Sequence, residues 1–516
     1  MKQKSEFWKT PAAAAVIAAL PAGLLVHLFG LVNILHNNDD IWQQPMGYGA
    51  GITSGRWLLT ILGDFLSRQG FGYNLPVVNG VLFLALVALC AGVIVSLLAI
   101  RSRGMAVLFG MLFSVFPSAT SVLFFKYTTV YYGIALLLAV LAAWALQGQR
   151  FGLLISALCT ALSLGIYQAY VPVTVTLLVL VLLRQALEAR TEAKKLLIRG
   201  LYFCAALIVG VLLYFVFLKI SLAVYHTALS DYQGVDNMGR ISLGALPKLI
   251  RRAVGDLCKL PLYDYCGLAN IGLLKLAYVV LAGVSGVLGV CLVVTRVKKP
   301  GLLVMTLLLC AALPVALNFV VIMCPDTLIY TLMVYSFALI PCIPMMLLEV
   351  FPEDKGGKGK AIAAKITAVT VAAMIFSYGY YDNVNYTAMY YANRQVENYW
   401  GTLVAQVRMT QGFDTEKEWA LIGSISDPLL QNGWMDGVTY GGNRFTEDLL
   451  NQYSRLAWVN NYVGYKIPAA SEETVAALAA SDAVKAMPCW PNQGSIQVIG
   501  DTVVIKFEEQ NGWEGA

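Results

Sequence analysis

Long apolar stretches alternate with short polar ones over residues 1–381, and the chain becomes polar afterwards. A helix needs about 20 mostly apolar residues to cross a bilayer core about 30 Å thick. About eleven stretches meet this length, so we expect an all-α polytopic membrane region with about eleven transmembrane helices. The predicted spans are residues 11–35, 75–100, 104–124, 128–146, 151–169, 170–187, 201–224, 271–295, 301–323, 327–350 and 361–381.

The first apolar stretch has a second interpretation, a cleaved signal peptide. Its apolar run is longer than the core of such a peptide, and it lacks the small-residue cleavage site that usually follows. We therefore expect the stretch to be retained as the first span.

Charge is sparse and unevenly distributed, since only 13% of the residues are charged. Residues 1–381 carry 28 Lys and Arg against 14 Asp and Glu, whereas residues 382–516 carry 8 against 16, so a net charge of +14 is followed by one of −8. The basic residues concentrate in every second loop, and basic loops stay in the cytoplasm. The pattern predicts a multi-pass membrane protein with a cytoplasmic N-terminus and an extracytoplasmic C-terminal region.

Residues 382–516 have the composition of a soluble domain. An apolar run from Trp419 predicts a buried strand, and two β-rich runs around Gly500 and Asp501 predict a hairpin. Helical patterns cover residues 386–407, 444–459 and 471–486. We expect a small α/β extracytoplasmic domain here, following a membrane domain over residues 1–381 that has long external loops at 36–74 and 225–270.

The first external loop contains the carboxylates that we select as candidate catalytic residues, Asp39 and Asp40. A carboxylate held at a membrane face, beside partly apolar surroundings, can work as a general base. Two adjacent carboxylates can also divide the work or hold a divalent cation such as Mg²⁺ or Mn²⁺. The alternative is that the pair marks a solvated start of the loop.

The same loop continues with a glycine-rich stretch that ends at Arg56 and Trp57. Glycine lets the backbone approach a ligand closely, and a guanidinium can hold a phosphate by two hydrogen bonds. Both residues are therefore candidates for substrate binding. Apolar residues at helical spacing follow over residues 57–66 and predict an amphipathic helix that lies in the membrane interface.

Further external cations depart from the cytoplasmic pattern: Lys126 after the third span, and Arg251 and Arg252 on a predicted amphipathic helix of the second long loop. They either bind a lipid-linked phosphate or attract anionic lipid headgroups in general. In the same loop Cys258 and Cys266 are close enough in sequence for a disulfide.

Tyr167, Gln168 and Asp326 are the remaining candidates for contacts to a polar substrate, because they lie at predicted outer helix ends. The centres of the spans hold almost no ionisable groups, whereas transporters and pumps usually place such groups there. The chemistry is therefore expected at the outer membrane surface. No basic patch with interleaved aromatic residues indicates nucleic-acid binding.

Together these motifs resemble the glucosyl transferase II family, polytopic membrane glycosyltransferases of the GT-C type. The resemblance rests on Asn38-Asp39-Asp40 after the first span, Ser54-Gly55-Arg56-Trp57, Tyr167-Gln168-Ala169-Tyr170 and the polar C-terminal region. It implies that an acidic residue of the first external loop serves in catalysis, here Asp39 or Asp40.

The resulting hypothesis is an inverting glycosyltransferase. It would move a hexose, glucose by the resemblance, from a polyprenyl-phosphate donor to a cell-surface polysaccharide or lipid-linked glycan on the outer side of the membrane. Membrane lipid is the other expected partner. The alternatives are a transporter or flippase for lipid-linked sugars or polysaccharide, and a non-catalytic scaffold that displays the C-terminal domain.

Overall fold

The computed structural model describes residues 8–230, 244–325, 328–351, 353–427, 429–431, 446–451 and 453–508, with the backbone alone for 353–356. The chain divides into two compact units. The first unit comprises Met1–Asn33 and Met46–Asn383, and the second unit comprises Ile34–Pro45 and Val384–Ala516. The segment that contains Asp39 and Asp40 therefore groups with the C-terminal part of the chain.

The described residues form mostly α-helices, with one small sheet in the second unit. In chain order the elements are α1 (Pro11–Val32), α2 (Asn38–Trp42), α3 (Trp57–Arg68), α4 (Pro76–Leu97), α5 (Arg103–Ser114), α6 (Pro117–Leu123), α7 (Thr129–Ala145), α8 (Gly152–Ile166), α9 (Val171–Glu188), α10 (Ala193–Val224), α11 (Leu246–Lys259), α12 (Gly272–Arg296), α13 (Pro300–Leu317), α14 (Val320–Met323), α15 (Cys342–Val350), α16 (Glu353–Arg408), β1 (Glu418–Ile422), α17 (Thr446–Asn451), α18 (Arg455–Ala457), α19 (Glu472–Ala480), α20 (Asp482–Lys485), β2 (Ile496–Ile499) and β3 (Thr502–Lys506).

Among the described residues, eight helical stretches are long and apolar enough to cross a membrane, and three shorter apolar helices accompany them. Each of the eleven predicted spans overlaps one of these helices. The length and composition fit a membrane protein. The number of helices that cross the bilayer stays a prediction.

Small residues allow the helices of the first unit to pack closely. A Cβ atom on Gly110 of α5 would lie 2.3 Å from the carbonyl oxygen of Ala15 in α1, and one on Gly92 of α4 would lie 2.6 Å from Val16. Such contacts are typical of helices that associate in a membrane, where close backbone approach replaces the hydrophobic effect as the driving force. They join α1 to α4 and α5.

The two amphipathic helices predicted in the long loops are present as α3 and α11. On α11 the apolar side buries Leu249 and Ala253, while the cationic residues remain on the exposed side. Cys258 and Cys266 are both free thiols, so the predicted disulfide is not formed.

The sheet of the second unit has the strand order β1-β3-β2. β1 runs parallel to β3, and β2 pairs with β3 in an antiparallel hairpin whose turn contains Gly500 at φ 60°. The later part of α16 packs Trp400, Leu403 and Val407 into the same core as Trp419 of β1. Strand, hairpin and amphipathic helix therefore lie where the sequence pattern predicts them.

Candidate functional site

The second unit holds the aspartate pair on the short helix α2. Asn37 caps this helix, because its side chain accepts a hydrogen bond of 2.7 Å from the backbone N–H of Asp40. Asparagine at the cap and acidic residues in the first turn both favour a helix start. Asp39 and Asp40 are thus fixed in adjacent helical positions, and their side chains point in different directions.

Asn38 ties this helix to the C-terminal part of the second unit. Its side-chain oxygen accepts hydrogen bonds from Ser454 Oγ at 2.7 Å and Trp458 Nε1 at 3.2 Å. Its amide nitrogen donates to the carbonyl oxygen of Asp448 at 3.3 Å. Asn38, Ser454 and Trp458 are all buried, so the two bonds that Asn38 accepts form away from competing water.

A second set of amide contacts holds the backbone on either side of Asn38. Asn393 of α16 accepts from the backbone N–H of His36 at 2.8 Å and donates to the carbonyl oxygen of the same residue at 3.0 Å. Asn461 donates to the carbonyl oxygen of Ile41 at 3.1 Å. The side chains of Asn38, Asn393 and Asn461 therefore all hold this short segment in place.

The two aspartates have different environments. Asp40 is fully buried and accepts a hydrogen bond from Nδ1 of His36, which is itself buried against the edges of Trp458 and Tyr462. Asp39 is exposed, and its carboxylate accepts a hydrogen bond from the hydroxyl of Tyr453. Of the two carboxylates, Asp39 is accessible to a substrate, whereas Asp40 orients an imidazole.

The same contacts bear on the divalent cation that the pair suggested. Asp39 and Asp40 are engaged by different partners, Tyr453 and His36. No group of three or more His, Cys, Asp or Glu side chains is placed to hold a metal within the residues that the structure describes. The divalent cation stays a prediction.

In the first unit, Arg56 follows a tight turn that other residues hold in place. The turn Ile52–Ser54 is a short 3₁₀ helix, and Gly55 adopts the left-handed conformation at φ 73° that glycine tolerates best. Gln168 donates to the carbonyl oxygen of Ser54 at 3.0 Å, and the hydroxyl of Tyr214 donates to that of Gly55 at 3.1 Å. The two sequence motifs that contain Arg56 and Gln168 are therefore brought together.

The guanidinium of Arg56 lies over an aromatic ring. Its Cζ atom is 5.4 Å from the ring centre of Tyr167, and Tyr167 in turn stacks on Tyr132 at 4.1 Å with an angle of 17° between the rings. A cation over an aromatic face is stabilised electrostatically and keeps a defined orientation. Arg56 is partly exposed.

Trp57 and Gln168, predicted to bind substrate, are packed into the protein. Trp57 is 5% exposed, and its indole ring packs on Phe217 at 5.2 Å between centres. Gly165 makes room for it, since a Cβ there would lie 2.6 Å from the indole. Gln168 is 9% exposed and turned towards Ser54. Both residues support the turn that carries Arg56.

Arg252 of α11 contacts the chain that follows α14 in the first unit. Its Nη1 donates to the carbonyl oxygen of Pro325 at 2.7 Å, and its Nε lies 3.9 Å from the carboxylate of Asp256. Burial raises the pKa of Asp256, while Arg252 and Lys259 act in the opposite direction. Arg251 is exposed on the same helix, and Asp326 lies outside the described residues.

The stretch before Pro325 connects this cation to the turn of Arg56. Phe319 and Met323, at the ends of α14, pack against the cluster that contains Trp57 and Tyr214. The cluster that contains Trp57 thus packs on Phe319 and Met323, and Arg252 bonds to Pro325 just after them. Lys126, by contrast, is 4% exposed, and its carbonyl oxygen accepts from Asn79 at 3.2 Å.

A comparison with protein families identifies the chain. The family model described as glucosyl transferase GtrII matches residues 28–341, which contain the aspartate pair, Arg56 and Arg252. The chain belongs to the glucosyl transferase GtrII family. Neither a search of curated proteins nor a search of solved structures found a match. The resemblance inferred from the short motifs is confirmed.

The GtrII chain is accordingly a membrane glycosyltransferase. Its family match ends before some of the residues that hold the aspartate pair. The aspartate pair lies inside the matched residues, whereas Asn393, Tyr453 and Ser454, which hold it, lie outside them. Residues outside the matched region therefore help to hold the acidic segment that lies inside it.

Sequence reasoning assigned no role in this GtrII site to four residues: His36, Asn38, Asn393 and Tyr453. His36 and Asn38 stand in the unbroken polar run before Asp39, and that run is a usable signal for a structured loop. Asn393 and Tyr453 are more than 350 residues away from it along the chain. No local pattern distinguishes them from other polar residues of the second unit.

Proposed function

We propose that the protein transfers a glucosyl group from a polyprenyl-phosphate-linked donor to a cell-surface polysaccharide on the outer side of the bacterial plasma membrane. The observation that supports this most directly is the exposed carboxylate of Asp39 on a segment that asparagine side chains fix from both sides. A general base must be accessible and held in place, and Asp39 combines both properties.

In the proposed reaction Asp39 accepts the proton of an acceptor hydroxyl. The hydroxyl oxygen forms a new bond to the anomeric carbon, while the bond from that carbon to the phosphate oxygen breaks and its electron pair leaves with the phosphate. A single displacement of this kind inverts the anomeric centre. The proton remains on Asp39 until solvent removes it.

For the donor phosphate we propose ligands among the cations of the first unit. Arg56, oriented by Tyr167, offers its guanidinium to the donor phosphate, where negative charge develops as the sugar departs. Fixed positive charge at such a position usually contributes more than any other term to the lowering of the barrier. Arg251 and Arg252 on α11 are further candidates for the phosphate, and the exposed apolar residues of α3 for the isoprenoid chain.

Asp40 has a supporting role in this proposal. Its carboxylate holds His36, and His36 packs on Trp458 and Tyr462 of the same unit. A buried histidine that is oriented by a carboxylate stiffens the start of α2, and Asp39 stands on that helix. We therefore assign catalysis to Asp39 and positioning to Asp40.

The test compares surface polysaccharide from cells that lack the gene with cells that carry the wild type, Asp39→Asn, Asp40→Asn or Arg56→Ala at equal protein levels. Asp414→Asn and Arg101→Ala serve as controls, because both residues are exposed and lie outside the elements that are assigned to the reaction. We expect the glucosyl branch to disappear in the deletion, Asp39→Asn and Arg56→Ala strains. Unchanged glycans in the deletion strain would refute the proposal, and unchanged glycans in Asp39→Asn alone would refute the assignment of the base.

A further inference from the structure

Two exposed aromatic side chains flank the carboxylate of Asp39. Trp42 is 57% exposed and Tyr453 is 62% exposed, and their rings meet edge to face with centres 6.0 Å apart. Tyr453 also donates its hydroxyl hydrogen bond to Asp39. Large aromatic residues normally bury most of their surface, so two of them left open beside a candidate base indicate a contact surface.

The local structure fixes these rings as well as the carboxylate. Asp39 and Trp42 are three residues apart on α2 and therefore share a face of that helix. Tyr453 directly precedes Ser454, whose hydroxyl is bonded to Asn38. The carboxylate and the two rings thus stand on backbone that the same hydrogen bonds hold.

We propose that Trp42 and Tyr453 form the subsite for a sugar ring of the glycan acceptor, with Asp39 facing the hydroxyl that reacts. This inference rests on the proposed function. A pyranose ring presents an apolar face of C–H groups and a rim of hydroxyls. Tryptophan and tyrosine match that combination, because each has an apolar body and a polar tip, and the carboxylate accepts from the hydroxyl rim.

The charge of the C-terminal residues favours a neutral sugar over a membrane surface as the occupant. Residues 382–516 carry a net charge of −8, and anionic lipid headgroups repel such a domain. The two rings also border a carboxylate, which would be costly to bury in lipid. A sugar ring satisfies both the aromatic faces and the carboxylate.

The experiment measures glucosyl transfer by the full-length protein in membranes, with radiolabelled polyprenyl-phosphate glucose as donor. The acceptor is the unmodified surface polysaccharide from the gene-deletion strain, and donor and acceptor concentrations are varied separately. The variants are Trp42→Ala, Trp42→Leu, Trp42→Phe and Tyr453→Ala. Tyr465→Ala is the control, because Tyr465 is another exposed aromatic residue of the same unit, at 38% exposure.

We expect Trp42→Ala, Trp42→Leu and Tyr453→Ala to raise the acceptor KM by about tenfold, since truncation of an aromatic anchor removes much of the binding energy of a small contact surface. The donor KM should stay within about twofold of the wild type. Trp42→Phe should restore most of the acceptor affinity, because it keeps an aromatic face.

An unchanged acceptor KM in Trp42→Ala would overturn the inference. A raised donor KM with an unchanged acceptor KM would also overturn it. That result would indicate that Trp42 and Tyr453 bind the lipid part of the donor. Equal losses in all three Trp42 variants with a lowered Tm would assign Trp42 to packing. If the wild-type protein transfers no glucose, the proposed function itself fails, and that result is distinct from all of these.

Discussion

Replacement of Asn38 by alanine tests whether the C-terminal part of the chain holds the catalytic segment. The substitution removes three hydrogen bonds: two buried ones to Ser454 and Trp458, and a partly buried one to the carbonyl oxygen of Asp448. Each such bond contributes about 1 kcal/mol, and each buried donor left without an acceptor costs about 1–3 kcal/mol more. We therefore expect the segment around α2 to lose at least about 3 kcal/mol of local stability.

Hydrogen exchange read out by mass spectrometry measures this loss in the full-length protein. A loss of about 3 kcal/mol accelerates exchange by a factor of more than about 100 in peptides that cover residues 36–42. Glucosyl transfer should fall in parallel, while the donor KM stays near the wild-type value. Asn492→Ala is the control, because the Asn492 amide makes only an exposed hydrogen bond, to the carbonyl oxygen of Cys489. Unchanged exchange around α2 in Asn38→Ala would refute the reasoning.

Three further predictions concern the first unit. Gln168→Leu removes the bond to Ser54, and we expect the donor KM to rise by about tenfold because the turn before Arg56 loosens. Gly165→Ala places a Cβ 2.6 Å from Trp57, so a melting curve in detergent should show a lower Tm, equivalent to about 1–3 kcal/mol. Burial raises the pKa of Asp256 above its ordinary 3.8, so the folded state holds this proton more tightly and its stabilising effect is lost as the pH rises through the raised value. Asp256→Asn should remove this pH dependence of the Tm in melting curves recorded from pH 4 upwards. An equal change of Tm with pH in both proteins would contradict the prediction.

The helices were the most predictable part of the fold, because a membrane span and an amphipathic helix each leave a long periodic pattern. The strand at Trp419 and the hairpin at Gly500 were readable for the same reason. Two-unit organisation was less readable. Residues 34–45 join the second unit through side-chain hydrogen bonds to residues such as Asn393 and Asn461, and bonds over such sequence distances follow no period.

The candidate site was predictable in its residue types and less so in their roles. Asp39 and Asp40 are equivalent in the sequence, and only burial and the bond to His36 distinguish them. Arg56 is partly exposed after a mostly buried turn, and Gln168 donates to the carbonyl oxygen of Ser54 in that turn. Chemistry alone selects the residue types, whereas orientation depends on packing partners that are distant in the sequence.

The most direct measurement of the central claim is the single-turnover rate of glucosyl transfer by Asp39→Asn and Asp40→Asn, each saturated with donor and acceptor. Removal of a general base usually lowers the rate by about 10²–10⁴-fold. We predict a loss in this range for Asp39→Asn and a much smaller loss for Asp40→Asn, since an asparagine there still accepts a hydrogen bond from His36. A wild-type rate in Asp39→Asn, or the larger loss in Asp40→Asn, would contradict the account.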